Sequence, residues 1–197
     1  MKIVLLLLLV SLSAAASTPT ANEVRAEGDV IVSMKGKVKR DKNQLVLTLK
    51  TGKKKTYKDN LVEGTESFVR HSVAEYIAKN EAVVIQQQFY EGGQFLVVSL
   101  KDGSEIITPT KPTWSPKKSN FISINDDESD YTDNMTVIGT CQAMKCKKVF
   151  SEEAHAGNEK WIDEKTVEYE NRKFDPGTGA GEAKVVTCKI DKKVTCK

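Results

Sequence analysis

Four cysteines are the side chains best suited to covalent or metal chemistry, and all lie in the last third of the chain. An even number of cysteines behind an export leader, described below, predicts disulfides. The sequence leaves the connectivity open, although Cys141 with Cys146 and Cys188 with Cys196 fit predicted hairpins. A zinc site is the alternative, but neither C-x-x-C pairs nor clustered histidines are present.

The chain has two histidines, His71 in a predicted strand and His155 in a predicted loop. Nucleophilic catalysis needs a Ser, Cys or Thr beside such a base, and the sequence has no G-x-S-x-G or H-E-x-x-H motif. We therefore assign both histidines a structural role and predict no catalytic residue, no metal and no cofactor. Because paired carboxylates need no local motif, a cell-wall or glycan hydrolase remains the alternative function.

An acidic run over residues 126–134 is the richest group of acidic residues. Its carboxylates suggest a loop that binds a basic partner or, alternatively, a calcium ion, although the EF-hand spacing is absent. A plain solvated loop is the third interpretation. The candidate binding residues are Asp126, Asp127, Glu128, Asp130, Tyr131 and Asp133.

Lysines dominate the basic residues, and the charge is balanced overall. The chain of 197 residues has 30 basic and 27 acidic side chains, a net charge of +3, and only four of the basic residues are arginines. One lysine group covers residues 50–58 and another residues 145–148. They lack the interleaved arginines and aromatic residues of a nucleic-acid surface, so we predict no nucleic-acid partner and interpret them as protection of sheet edges.

The N-terminus predicts export. Lys2, an apolar run over residues 3–10 and small residues up to Ala16 match a secretory signal peptide over residues 1–16, too short to span a membrane. Residues 17–27 are small and polar and predict a flexible arm. We expect a single domain over residues 28–197, periplasmic or secreted, with no membrane span.

Short β-rich runs separated by turn residues fill the rest of the chain and predict an all-β fold. Hairpins are predicted over residues 45–58, 94–108, 135–150 and 184–196. Strands are also expected at residues 68–77, 82–90, 121–124 and 166–170. Residues 66–79 have an alternative as an amphipathic helix, because their apolar residues do not alternate cleanly.

Two features recur at one spacing. Trp114 and Trp161 are 47 positions apart. Cys141 and Cys188 are also 47 positions apart, and each of these two cysteines follows a threonine. Recurrence at about 40–50 residues, with about four strands in each unit, is typical of propeller blades. We therefore predict repeated antiparallel four-strand meanders that form a small or incomplete β-propeller, with a β-sandwich as the alternative.

Residues 114–122, with the sequence WSPKKSNFI, resemble the blade motif of periplasmic Tol-type propellers and their WD-repeat-like relatives. Residues 89–98 also resemble a pattern of small exported bacterial proteins that are uncharacterised. The likeness covers residues 68–175 and implies a protein-binding role with no catalytic residues. We therefore expect an exported, non-enzymatic protein-binding or inhibitory module that engages a partner in the envelope or outside the cell through loops such as 126–134 and 175–181. A purely structural envelope component is a further alternative.

Overall fold

The structure is a computed structural model that describes residues 21–62, 64–126, 134–172 and 182–197. Its first element is helix α1 (Ala21–Ser33). Residues 21–27, the end of the arm predicted for residues 17–27, belong to this helix. Val30 and Ile31 of the helix pack against a buried cluster, and this tertiary packing outweighs the modest helix propensity of β-branched residues. The predicted leader lies outside the described residues. The described part of the chain contains no helix with the length and apolar character needed to cross a membrane.

The described residues form four antiparallel sheets that follow one another along the chain. The first sheet has β1 (Val38–Asp41), β2 (Gln44–Thr48) and β3 (Lys54–Lys58). The second has β4 (Val69–Ile77), β5 (Ala82–Phe89), β6 (Gly93–Ser99) and β7 (Glu105–Thr108). The third has β8 (Thr113–Trp114), β9 (Asn120–Ile124), β10 (Met135–Gln142) and β11 (Lys145–Glu153). The fourth has β12 (His155–Trp161), β13 (Thr166–Arg172), β14 (Ala183–Ile190) and β15 (Val194–Cys196).

This architecture confirms the predicted all-β class and its antiparallel four-strand meanders, apart from the three-stranded first sheet. Residues 69–77 are strand β4, so the strand interpretation of that segment is right and the helical alternative is wrong. A short 3-10 turn (Ala78–Asn80) joins β4 to β5. His155 is the first residue of β12 and not part of a loop as predicted.

Burial patterns distinguish the two middle sheets from the two end sheets. In the middle sheets every residue of β9 is buried, as are the first four of β5. In the first sheet Leu45 and Leu47 of β2 are buried, whereas Val46 and Thr48 are not. A strand that is buried on both faces has a continuous apolar run, and one that is buried on a single face alternates. The middle sheets are therefore covered on both faces.

Three clusters of buried hydrophobic side chains fill the spaces between successive sheets. The first joins α1 and the first sheet to the second and includes Leu45, Leu47, Val83, Ile85 and Val98. The second joins the second sheet to the third and includes Ile77, Val97, Ile106, Phe121 and Val137. The third joins the third sheet to the fourth and includes Ile122, Ile138, Val167, Tyr169 and Ile190. Within the described ranges no cluster joins the first sheet to the fourth, so the closed ring of a propeller is not seen there.

The third and fourth sheets share two local features. Disulfides Cys141–Cys146 and Cys188–Cys196 each join the third and fourth strands of their sheet, between residues that are direct partners in the register. The local pairing is thus confirmed, and the described residues contain no free cysteine. Trp114 and Trp161 each end the first strand of their sheet.

Two glycines are required by close approaches. Gly139 lies at a bulge of β10, and a Cβ there would meet the Phe121 ring, with Cζ only 2.0 Å away. Gly103 turns the chain between β6 and β7 with φ of +78°, and a Cβ there would lie 2.9 Å from Leu49 Cδ1. A side chain at either position would thus force neighbouring groups apart.

Candidate functional site

Of the predicted acidic binding residues, the structure describes only Asp126. Its carboxylate oxygens lie 3.3 Å from Arg172 Nη1 and 3.4 Å from His155 Nδ1, so two side chains of the fourth sheet already face it. Asp127, Glu128, Asp130, Tyr131 and Asp133 lie outside the described residues, as does the predicted loop at 175–181. Among the described side chains no group of three or more His, Cys, Asp or Glu is arranged to hold a metal ion.

Asp59 and His71 form a buried pair that sequence reasoning missed. Asp59 Oδ1 accepts hydrogen bonds of 2.9 Å from both the His71 backbone N–H and Nδ1. The His71 side chain is 6% exposed and that of Asp59 is 7% exposed. Such an Asp–His contact is the orienting half of a catalytic triad, so the remaining ring nitrogen decides whether the pair could act as a base.

That nitrogen, His71 Nε2, lies 3.0 Å from Gln87 Nε2. The Gln87 carbonyl in turn accepts a hydrogen bond of 2.6 Å from Gln94 Nε2. Because the amide NH₂ of Gln87 donates, His71 Nε2 accepts, and the neutral ring keeps its proton on Nδ1 beside Asp59. The atom that a triad would place against a hydroxyl nucleophile thus meets an amide donor, which supports the predicted structural role of His71.

The same network closes the free edge of the second sheet, where β4 has no neighbouring strand. Val69 exchanges backbone hydrogen bonds with Asn60, and the His71 N–H is held by Asp59. The Val73 N–H donates to Glu27 Oε1 of α1 at 2.9 Å. Arg40 binds Glu27 and Asp59 and also donates to the His71 carbonyl. Partners at an exposed edge remove the backbone groups that would otherwise pair with another chain.

A groove of about 1290 Å³ opens between the third and fourth sheets, at the end where both disulfide hairpins turn. We call it the lysine groove. On the third sheet Asn120, Thr140 and Lys147 are register partners and form one row across β9, β10 and β11. The fourth sheet contributes the β12–β13 and β14–β15 turns. The residues that define the groove are Asn120, Thr140, Gln142, Lys147, Lys148, Val149, Lys165, Ile190, Asp191, Lys192, Lys193, Val194 and Thr195.

The groove carries a strong positive charge, since five lysines line it and Asp191 is its single acid. Asp191 already lies 3.1 Å from Lys165 and 3.9 Å from Lys189. No carboxylate in the described part of the chain lies within ion-pair distance of the four other groove lysines, Lys147, Lys148, Lys192 and Lys193. Cations gathered in one cleft concentrate the field and attract anions.

The floor of the groove includes a polar atom without a partner. The Asn120 side chain, only 4% exposed as a residue, donates from Nδ2 to the Glu164 carbonyl at 2.6 Å. Its Oδ1 is buried and has no hydrogen-bond partner among the residues that the structure describes. A bound donor at this position would satisfy an acceptor whose burial is otherwise costly.

Glu164 fastens the two walls together. Its carboxylate accepts hydrogen bonds from Ser115 Oγ at 2.8 Å and from the backbone N–H groups of Lys117 and Ser119 at 2.6 and 3.1 Å. Burial acts to raise the pKa of Glu164, but the donated hydrogen bonds outweigh it and hold the pKa below its ordinary value of 4.5. The turn of the fourth sheet, which includes the groove residue Lys165, is thereby fixed to the third sheet.

Sequence reasoning found only part of this groove. It singled out residues 145–148 as a lysine group but attached no function to Lys165, Lys192 and Lys193. A signal was present, because both cysteine hairpins carry paired lysines, Lys145 and Lys147 on either side of Cys146, and Lys192 and Lys193 in the turn between Cys188 and Cys196. Comparison of the chain with protein-family models, with curated proteins and with solved structures finds no match.

Proposed function

We propose that this protein is a non-enzymatic binding module that holds an acidic, extended segment of a protein partner in the lysine groove. The observation that carries the proposal is the set of four groove lysines that have no carboxylate partner among the described residues. Charge complementarity of this kind speeds association and selects partners of the opposite sign.

The dimensions and stiffness of the groove favour an extended chain as ligand. Its volume of about 1290 Å³ exceeds the range of ~300–1,000 Å³ that is usual for small-molecule sites. The disulfides Cys141–Cys146 and Cys188–Cys196 close the hairpins on its two sides. A wall that is already rigid loses little conformational entropy on binding.

The setting and the architecture belong to the same proposal. Two disulfides suit an oxidising compartment, and we infer that the protein acts in the periplasm or outside the cell. We also infer that its third and fourth sheets are copies of one blade-like unit. Supporting this, Trp114 and Trp161 each pack against the cluster that faces the preceding sheet, and the disulfides join corresponding strands.

Poly-L-glutamate is a suitable probe of the groove. We expect it to bind the protein with an affinity that falls steeply as salt rises, because the contacts are between exposed charges. The double variant Lys147→Glu/Lys192→Glu should weaken binding at least about tenfold, since two attractive contacts become repulsive. Isothermal titration calorimetry at two or more salt concentrations measures both effects.

The matched control is Lys54→Glu/Lys58→Glu, which makes the same charge change on exposed residues of β3. It should bind poly-L-glutamate about as tightly as the unaltered protein. Equal weakening in both variants would show that only net charge matters and would overturn the groove as the site. Tighter binding of heparin than of poly-L-glutamate would assign the groove to sulfated polysaccharides and refute the acidic-protein proposal.

A further inference from the structure

A second cavity lies on the second sheet, remote in sequence from the lysine groove and independent of the proposal made for it. Two adjoining hollows of about 310 and 200 Å³ share Arg70, Gln86 and Gln88 as lining residues. The strand register explains why they meet, because Arg70 is the partner of Gln88, and Gln86 is the partner of Ser72 and of Phe95. These side chains therefore occupy two adjacent rows on one face of the sheet. We call this the Arg70 cavity.

The polar side chains of the cavity differ from those on the opposite face of the same strands. There Gln87 and Gln94 are hydrogen-bonded to each other, and Gln87 also contacts His71. In the cavity, by contrast, the side chains of Arg70, Gln86 and Gln88 have no hydrogen-bond or ion-pair partner among the described residues. The only acid lining the cavity, Glu27, already binds Arg40 at 2.7 Å.

Arg70 sets the charge of the ligand. Arg70 is partly buried as a residue, and its guanidinium presents a planar fork of donors that matches a carboxylate through two parallel hydrogen bonds. A partly buried cation without a counter-ion has lost hydration that a bound anion would replace. The cavity is therefore built for an anionic group at the position of Arg70.

The remaining surface sets the shape of the ligand. Gln86 and Gln88 each offer amide donors and a carbonyl acceptor, the combination that hydroxyl groups require. Phe95, also partly buried, supplies an apolar surface beside Gln86. Gly93 is the partner of Gln88, and a Cβ there would lie 2.9 Å from the Gln87 carbonyl oxygen, so the hollow beside Gln88 stays free of a side chain.

We propose that the Arg70 cavity binds an acidic monosaccharide unit, a sugar ring that bears a carboxylate. The carboxylate pairs with Arg70, the ring hydroxyls hydrogen-bond to Gln86 and Gln88, and an apolar face of the ring covers Phe95. The combined hollows are of the size usual for a small-molecule site.

Glucuronate is the probe, and glucose and acetate are the two comparison ligands. We expect glucuronate to bind saturably and to shift backbone amide NMR signals of residues 70–72, 86–88 and 92–95. Glucose lacks the carboxylate and acetate lacks the ring, so each should bind at least about tenfold more weakly. Acetate or inorganic phosphate that binds as tightly as glucuronate would reduce the cavity to a bare anion site and overturn the proposal. If glucose bound as tightly as glucuronate, Arg70 would not recognise the carboxylate, and the proposal would be overturned.

Substitutions test whether glucuronate binds in the Arg70 cavity. Arg70→Gln should weaken glucuronate binding at least about tenfold, and Arg70→Lys should weaken it less, because it keeps the charge but loses the fork. Gln88→Ala should weaken glucuronate but not acetate. Arg172→Gln removes a partly exposed arginine of the fourth sheet and should leave glucuronate binding unchanged. The proposal fails if folded Arg70→Gln or Arg70→Lys protein binds glucuronate as the unaltered protein does, or if poly-L-glutamate competes with glucuronate for the same signals.

Discussion

Asp59 has partners on two strands and in the turn before a third, although its neighbours in sequence are exposed or partly exposed. Oδ1 accepts from the backbone and ring of His71 on β4, and Oδ2 lies 3.0 Å from Arg40 Nη1 on β1. The backbone N–H of Asp59 donates to the Asn43 carbonyl at 2.8 Å, just before β2. The Asp59 carboxylate thus pairs with the partly buried side chain of Arg40, orients the His71 ring and accepts from the edge of β4, which makes Asp59 the central residue where the first sheet meets the second.

Replacing Asp59 by alanine should lower the free energy of unfolding by about 3 kcal/mol, because the backbone and ring donors of buried His71 would lose their acceptor and Arg40 would lose one of its carboxylate partners. Urea unfolding followed by circular dichroism measures the change. The control Asp41→Ala removes an exposed carboxylate of β1 and should change stability by less than about 0.5 kcal/mol. Equal, small effects of the two substitutions would show that the Asp59 network contributes little.

At the scale of elements, the joint between the third and fourth sheets depends on turns. The turn after Trp114 directs the N–H groups of Lys117 and Ser119 and the Ser115 hydroxyl at Glu164, which belongs to the corresponding turn after Trp161. Backbone N–H groups that converge in this way form an anion site, and here a carboxylate of the same chain occupies it. The contact aligns the two sheets at the floor of the lysine groove.

This joint should depend on pH. Because the folded-state pKa of Glu164 lies below its ordinary value of 4.5, its contribution to stability is complete above about pH 4.5 and is lost as the pH falls through the folded-state pKa. Glu164→Gln should destabilise the protein at pH 7 by about 1 kcal/mol or less, since the site is partly solvated. The difference should vanish in acid, where both side chains are neutral.

Urea unfolding at a series of pH values measures that dependence. Glu153→Gln, at an exposed position of β11, is the matched control and should follow the unaltered protein at every pH. A difference between Glu164→Gln and the unaltered protein that persists at the lowest pH would contradict the assignment of the effect to the carboxylate charge.

On the scale of the whole molecule, the described sheets follow one another and each buries its side chains against the next. A row of stacked sheets needs polar outer faces at its two ends to stay in solution. The outer face of the first sheet carries Lys39, Lys54 and Lys58, and that of the fourth carries Glu168, Thr187 and Lys189. The alternation of β2 and the end of β14, against the continuous buried runs of β5 and β10, is therefore a consequence of position in the row.

Matched substitutions on an inner and an outer face test the order of the sheets in the row. Val97 and Val185 both lie in the third strand of a sheet, but Val97 is 0% exposed between the second and third sheets, and Val185 is 65% exposed on the outer face of the fourth. Val97→Asp should destabilise the protein by about 4 kcal/mol or more, because it buries an unpaired carboxylate.

Val185→Asp should change the free energy of unfolding by less than about 0.5 kcal/mol. Thermal unfolding of the two variants side by side measures both effects. Strong destabilisation by Val185→Asp would mean that another surface covers the outer face of the fourth sheet.

Prediction from sequence succeeded where the signal was local. The hairpin over residues 94–108 and the strand of residues 121–124 follow from β-branched runs and turn residues, and the disulfides follow from cysteines placed at facing positions of hairpins. Sequence reasoning did not predict helix α1 (Ala21–Ser33), because residues 17–27 are small and polar and suggested a flexible arm. What makes that segment helical is distant, since Val30 and Ile31 pack against the cluster between the first two sheets.

Local signals in the amino-acid sequence predicted the all-β class and most of the strands and turns, because pleat alternation and turn chemistry act between near neighbours, but they left the pairing of the cysteines open. Only the tertiary structure decided which side chains meet across sheets. Asp59 reaches His71, Glu164 reaches the turn at Ser115, and the lysines of two hairpins line one groove. The physical reason is that these contacts depend on how whole sheets stack, and stacking is set by the complementary fit of many buried side chains that no single segment encodes.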